Sequence, residues 1–257
     1  MKNLLSSAAV VLASGLALCS SQNAWAEDVT LVAPGGMRCP IDRMTPDFNK
    51  KTGHVLKATI GSGGATHQQV VRGAAFDVPV VQPPYQDVIA SGNVIPGTET
   101  PLATVAIEVV VRKGEPKPDI STPDAVKRML LKAKAISYPD GANGLGGAAG
   151  VSFDNTQKQL GIYEEMKPKV TRVQGVSLMQ LLTRGDIDVA VTFASEVNDP
   201  GVDVVGVLPR AISTPTALVG FISSHAKSPD AAKALLSYLS SSDAAAAYRA
   251  CAMQPGR

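Results

Sequence analysis

Histidine and cysteine are scarce in this chain, three of each among 257 residues. Three scattered histidines, His54, His67 and His225, do not make a zinc site, and no histidine–cysteine cluster stands in for one. An excess of either charge is also lacking. The 24 basic and 22 acidic side chains leave +2 overall, which provides no electrostatic footprint for nucleic acid. Past the first residues no apolar run approaches the ~20 residues of a membrane span. The glycine-rich segments lack the Lys-Ser/Thr ending of a phosphate-binding P-loop and the spacing of a dinucleotide fingerprint. No serine sits in a Gly-x-Ser-x-Gly frame. Repeats, low-complexity tails and long polar spacers are missing as well. Together these absences argue against metal, nucleotide-cofactor and nucleic-acid chemistry and against a membrane-embedded body. Small molecules or other proteins remain as partners.

What is present begins with the pattern of an export signal. Lys2 gives a positive start, Leu4 to Leu18 an apolar centre, and Ala24-Trp25-Ala26 the small-x-small ending read by signal peptidase. Residues 1–26 are therefore expected to be removed and the protein to reside in the periplasm; 231 residues remain, enough for one large domain or two small ones. Cys19 follows Leu18, where a lipid-attachment motif wants a small residue. Cys39 and Cys251 survive processing. In an oxidising compartment they are a disulfide candidate, with two separate buried thiols as the alternative that spacing leaves open.

Along the chain, strands are expected at 29–33, 54–60 and 77–81, each followed by a turn-rich break. A helix over 41–51 stops at Gly53 and another ends near Arg72-Gly73. One long strand is expected between Leu102 and Val111, then a helix over 124–132 opened by Pro123. Further strands are expected at 135–138, 171–173, 187–193, 202–208 and 216–222. Helices are expected at 148–160 and 178–183, with two helical pieces over 229–250 jointed at 240–243. The alternation is that of parallel α/β structure. Two lobes would share short crossing segments near 100–106 and 209–216 rather than a linker.

Three glycine loops stand at the carboxyl ends of expected strands: Pro34-Gly35-Gly36, Gly61 to Thr66, and Gly141 to Gly147. Parallel sheets place ligands there. Each loop precedes a helix, whose first turn leaves N–H groups unpaired and carries partial positive charge, so an anion can be held by backbone donors. Ser62 and Thr66 add hydroxyls. His67, in the first turn of the second of these helices, is a candidate ligand contact and proton-transfer residue. Arg38 lies just past the first loop, where it could meet a carboxylate. Gln82 and Tyr85 follow the third strand, and Phe193 ends the 187–193 strand.

With these segments in order, the chain resembles the molybdate-binding-protein-like branch of periplasmic solute-binding proteins of ABC transporters. The resemblance covers almost all of residues 28–250. It rests on Val29-Thr30-Leu31-Val32-Ala33, the Phe48 to Gly53 segment, Gly61-Ser62-Gly63-Gly64-Ala65-Thr66 and Arg72-Gly73-Ala74-Ala75-Phe76-Asp77-Val78. The Val109-Val110-Val111 strand and Arg184-Gly185-Asp186-Ile187-Asp188-Val189-Ala190 complete it. It implies a type 2 periplasmic binding fold, α/β and two-lobed, with a ligand cleft between lobes made of residues 27–104 with 210–257 and of residues 105–209. It also implies ligand contacts at Gly35 or Gly36, at Ser62 to Gly64, near Gln82, in the Leu145, Gly146, Gly147 and Ala148 helix start, near Gly175, and at Phe193. True molybdate binders usually carry a serine at the first of these positions and a tyrosine at the last. Two hydroxyls are thus missing from a site that must surround a desolvated oxyanion with donors. The expectation is a monomeric binder of a small organic anion, a di- or tricarboxylate, serving an ABC permease without cofactor or metal. The same branch is similar to periplasmic aconitate isomerase, which makes a cofactor-free proton shift the alternative: His67 would be the base, and Arg38 with the glycine-loop amides would hold the anion. Inorganic oxyanion binding is the third reading.

Overall fold

The computed structural model describes residues 26–141, 146–174 and 177–256. The segment before Ala26, expected to be a signal, and Leu145 and Gly175 lie outside the described residues. The chain opens with β1 (Asp28–Pro34), a 3-10 turn (Gly35–Met37) and α1 (Arg38–Thr52). Gly53 ends α1 in the left-handed region at φ 78°, the conformation that glycine adopts without a side-chain penalty. Then come β2 (Val55–Gly61), α2 (Gly63–Val71), β3 (Val78–Val81), α3 (Gln86–Ala90) and β4 (Thr100–Val105). The middle of the chain forms β5 (Ile107–Arg112), α4 (Pro123–Lys132), β6 (Ile136–Pro139), α5 (Ala148–Gln159) and α6 (Tyr163–Met166), then β7 (Val170–Val173), α7 (Leu178–Arg184), β8 (Val189–Phe193) and β9 (Val202–Val207). The last segments are β10 (Thr216–Gly220), α8 (Pro229–Leu239), α9 (Ser242–Ala250) and β11 (Met253–Pro255).

Helix starts follow local capping chemistry. Ser62, Thr122, Ser177 and Ser241 accept from the backbone N–H three residues on, which satisfies a donor that the helix itself leaves unpaired. Pro123 and Pro229 occupy the first turn, where no N–H is needed.

Two sheets result. Six strands run in the order β11-β4-β10-β3-β1-β2 and five in the order β7-β6-β8-β5-β9. β1 pairs in parallel with β2 and β3, and β6 with β7 and β8. β10 runs antiparallel to β3 and β4, β11 to β4, and β5 to β8 and β9. The sheets are therefore mixed: the parallel α/β pairing expected from the strand–helix alternation joins β1 to β2 and β3 and β6 to β7 and β8, and the remaining pairs are antiparallel. The single strand expected from Leu102 to Val111 is two: β4 ends at Val105 in the first sheet and β5 starts at Ile107 in the second. Ala106 is the point of passage. Its apolar neighbours are buried in different sheets, so the hydrophobic run continues although the strand does not. The chain returns to the first sheet between β9 and β10. The architecture is the two-lobed α/β one.

The largest apolar cluster crosses from one sheet to the other through Met37, Val105, Ile107, Phe193 and Ala194. Cys39 in the first turn of α1 and Cys251 at the end of α9 are joined by a disulfide, with Cα atoms 5.9 Å apart across 212 residues of sequence. Of the two alternatives open at the sequence level, the structure has the bond. Asp77, 2% exposed, ties β1 to the segment before α8: its Oδ2 accepts from the Thr30 N–H and hydroxyl, and its Oδ1 from the Lys227 and Ser228 N–H groups. Among the described residues no helix is long and apolar enough to cross a membrane.

Candidate functional site

The carboxyl ends of β1, β2, β3, β6 and β8 meet at a cavity of about 240 Å³ between the two sheets. Its floor is Pro34-Gly35-Gly36, the bend where β1 becomes the turn into α1. Ser62 and Gly63 bring the start of α2; Gly146, Gly147, Ala148 and Ala149 bring the start of α5 from the other sheet. Gln82 closes one side, and Pro139, Asp140, Val173, Gln174, Phe193 and Glu196 the other. Two helix N-termini thus face one small volume from opposite sheets, with the partial positive charge this gives. The Gly64 N–H donates to Gly146 O at 3.1 Å, joining the two helix starts across the cleft.

α5 is held from behind. Tyr138, fully buried on β6, donates to Asp154 Oδ1 at 2.6 Å and accepts from Gln157 Nε2 at 3.1 Å; Arg172 Nη2 donates to the same Asp154 oxygen at 3.0 Å. This network fixes the rotation of α5 and therefore the direction of its first N–H groups. Burial is the largest influence on the Tyr138 phenol and pushes it up, so it stays a donor.

No lysine, arginine or histidine lines the inner cavity among the described residues. The donor-bearing groups on its wall are main-chain N–H groups, the Ser62 hydroxyl and the Gln82 and Gln174 amides. Gln82 is 9% exposed and its Nε2 has no hydrogen-bond partner. A buried donor left so is costly unless a ligand completes it. Its Oε1 would overlap a β-carbon on Gly63, so glycine at 63 is what lets the amide reach the start of α2.

Two carboxyl groups line the same cavity. Asp140 Oδ2 accepts from Gln174 Nε2 at 3.3 Å. Glu196, in the 3-10 turn Ala194–Glu196 after β8, accepts from the Thr192 hydroxyl at 2.5 Å. Burial is the main influence on Glu196 and raises its pKa, against the opposing hydrogen bonds from Thr192 and the Phe193 backbone. Glu196 as a whole is part-buried and lines the cavity. Its Oε1 lies 2.9 Å from the β-carbon position of Gly35, and Ser195 Oγ 3.4 Å from that of Gly36. The space that a side chain at 35 would occupy is filled by Glu196 from the second sheet. Glycine at 35 lets Glu196 approach closely, and at 36 a β-carbon would meet only ordinary contacts; neither position depends on a positive φ.

Of the residues singled out in the sequence, the structure brings Gly35, Gly36, Ser62, Gly63, Gln82, Gly146, Gly147 and Phe193 to this cavity. Gly64 and His67 instead line a wider chamber of about 690 Å³ next to it, which shares Gly63, Gln82, Gly146 and Ala148. There His67 Nε2 lies 2.8 Å from Asp87 Oδ2, and this hydrogen bond is the largest influence holding the Asp87 carboxyl below its usual range. Arg38 is exposed and lines neither space. Thr66 is fully buried, with its hydroxyl 3.4 Å from Ala33 O, and lines neither. Leu145 and Gly175 fall outside the described residues. Sequence reasoning missed Glu196 and Asp140. Both stand just past the end of a strand, Glu196 after Phe193 and Asp140 after Pro139, the same placement that singled out the glycine loops.

With this geometry in view, comparison with known proteins is informative. A family model described as bacterial extracellular solute-binding protein matches residues 29–251. An aconitate isomerase from a Pseudomonas species is 31% identical over 234 residues, covering 88% of this chain and 87% of that protein. Among solved structures, the periplasmic molybdate-binding protein of Azotobacter vinelandii matches with a TM-score of 0.73 at 16% identity, over 89% of this chain and 100% of that one. The substrate-binding domain of a putative molybdenum ABC transporter from Clostridium difficile gives 0.72 at 16% identity, over 90% and 100%. At such identity these two structures speak for the two-lobed fold alone. The family match spans both sheets and every segment of the cavity wall, and the chain belongs to the bacterial extracellular solute-binding protein family.

Proposed function

We propose that this chain is an exported, periplasmic protein that holds a small polycarboxylate of the aconitate type in its inner cavity and interconverts the cis and trans forms without a cofactor. The observation that carries this reading is the composition of the cavity wall: the unpartnered Gln82 Nε2 and two helix starts supply donors, and Glu196 and Asp140 supply proton acceptors, with no basic side chain between them among the described residues. A tetrahedral inorganic oxyanion presents acceptors on every side and needs donors all round. The Asp140 and Glu196 carboxyls and the Phe193 ring do not supply them. A carbon acid with several carboxylates suits such a wall better, because some of its surface is C–H and its proton must be received. The similarity to an aconitate isomerase over most of both chains supports this substrate class.

Family membership favours a second reading, capture of the same class of anion for an ABC permease. In that reading a bound tricarboxylate leaves unchanged. Proton NMR of trans-aconitate incubated with the purified protein separates the two. Growth of the cis resonances in proportion to protein concentration supports the isomerase. Saturable binding with no conversion overturns it and leaves capture.

A further inference from the structure

We propose that Glu196 is the residue that takes the proton from the substrate carbon and returns it. This rests on the isomerase reading above and adds to it the identity of the base. Glu196 lines the inner cavity on one side and, on the other, a polar pocket of about 230 Å³ with Ser177, Thr192 and Asn198. Its two oxygens are distinguished: Oε2 is engaged by the Thr192 hydroxyl, while Oε1 lies beside Gly35 on the cavity floor. His67, by contrast, opens on the wider chamber and is paired with Asp87.

Among the described residues Glu196 has no cationic partner, although a carboxylate withdrawn from water is expensive to keep without one. The titratable groups on the elements packed around it include Asp140 after β6, Glu108 on β5 in register with Thr192, and, on α1, Arg38, Asp42, Arg43, Asp47, Lys50 and Lys51. Of these only Asp140 shares the cavity wall, and Arg38 and Asp42 are exposed. The surroundings therefore make Glu196 a stronger base than an ordinary glutamate, nearer the range in which proton transfer at neutral pH is efficient.

The step balances on this one group. Ionised Glu196 removes a proton from the methylene carbon of trans-aconitate. The electrons of that C–H bond enter the conjugated system, and the double bond moves by one carbon. Negative charge develops on a substrate carboxylate that the helix-start N–H groups and Gln82 Nε2 can face. Glu196 then gives the proton to the former vinyl carbon, a new C–H bond forms, and the carboxylate is regenerated. No oxidant or reductant is consumed.

The test is Glu196→Gln, with Thr192→Val beside it. Trans-aconitate binding is read by calorimetry, turnover by NMR and the pH dependence of kcat/KM between pH 4 and 9. The Gln variant is expected to bind within about threefold of wild type but to turn over at least about a hundredfold more slowly, the usual contribution of a positioned base. Wild-type kcat/KM should rise with pH through an ionisation above the ordinary glutamate value of about 4.3. That limb should be absent from Glu196→Gln and displaced upward in Thr192→Val, which loses a hydrogen bond to the ionised form. A Gln variant that turns over within threefold of wild type, or keeps the limb, overturns the assignment while leaving the isomerase reading intact. If the Gln variant does not fold, as read by circular dichroism, an unmoved limb in Thr192→Val overturns it. A wild type that binds trans-aconitate without converting it removes the isomerase reading and this assignment together.

Discussion

Replacing Gly35 with alanine is the most local perturbation that the cavity permits. Gly35 is not among the residues with positive φ, so alanine can take its backbone without strain. The added β-carbon would stand 2.9 Å from Glu196 Oε1, where ordinary contacts begin near 3.4 Å. The carboxyl must therefore retreat by about half an ångström, either loosening its bond from Thr192 or turning Oε1 off the floor. Misplacing a reacting group by about 1 Å costs on the order of a hundredfold in rate. Half that displacement should lower kcat about tenfold, equivalent to about 1.4 kcal/mol of barrier. KM should move by less than about threefold, because the donor groups of α2, α5 and Gln82 are untouched. Stability should stay within about 1 kcal/mol, since the reduced freedom of the unfolded chain offsets the contact. Steady-state NMR kinetics and a urea melt measure all three quantities. An unchanged kcat, in a variant whose crystal structure shows the carboxyl displaced, would refute the link between Glu196 and the chemistry.

Three further outcomes follow from the same geometry. Glu196→Gln should be more stable than wild type at pH 8, and the gap should close as pH falls toward 4. Burial raises the folded pKa of Glu196 above its unfolded value, so wild-type stability declines as pH rises from the lower value to the higher, by about 1.4 kcal/mol for each pH unit between them; urea melts across pH read it. Gln82→Leu should weaken ligand binding about tenfold, the worth of one hydrogen bond to a charged group, with little loss of stability because its Nε2 bonds nothing in the empty protein; calorimetry checks this. Cys39→Ala with Cys251→Ala opens a loop of 212 residues and should cost up to about 5 kcal/mol of unfolding free energy, read by guanidinium melts of the double variant and the parent.

Much of this arrangement is written locally in the chain. α1 is legible to its last turn because Gly53 is a stop, and α4 because Thr122 and Pro123 together mark a start. The two helices at the end, with their joint at Ser240-Ser241, follow from the same punctuation. A passage between lobes is expected near 100–106, but the interruption of the strand at Ala106 is not legible, since the residues on both sides are apolar and no turn residue intervenes. Strand direction is not legible either: the burial pattern of β10 is the same whichever way its partners run, and only tertiary pairing settles it. The candidate site divides in a similar way. Its glycine loops can be read because close approach and helix starts demand particular residues. Glu196 and Asp140 share the strand-end placement, but a carboxylate on a short turn has no further pattern of its own to single it out. Their partial burial arises when the two sheets meet, with Gly35 leaving room for Glu196.

Whether the inner cavity takes a polycarboxylate rather than an inorganic oxyanion is decided by a calorimetric titration of the purified protein with trans-aconitate and with molybdate, under identical conditions and then in competition. Saturable binding of trans-aconitate that molybdate does not displace is the predicted result. Tight binding of molybdate, with no heat from trans-aconitate, would contradict it.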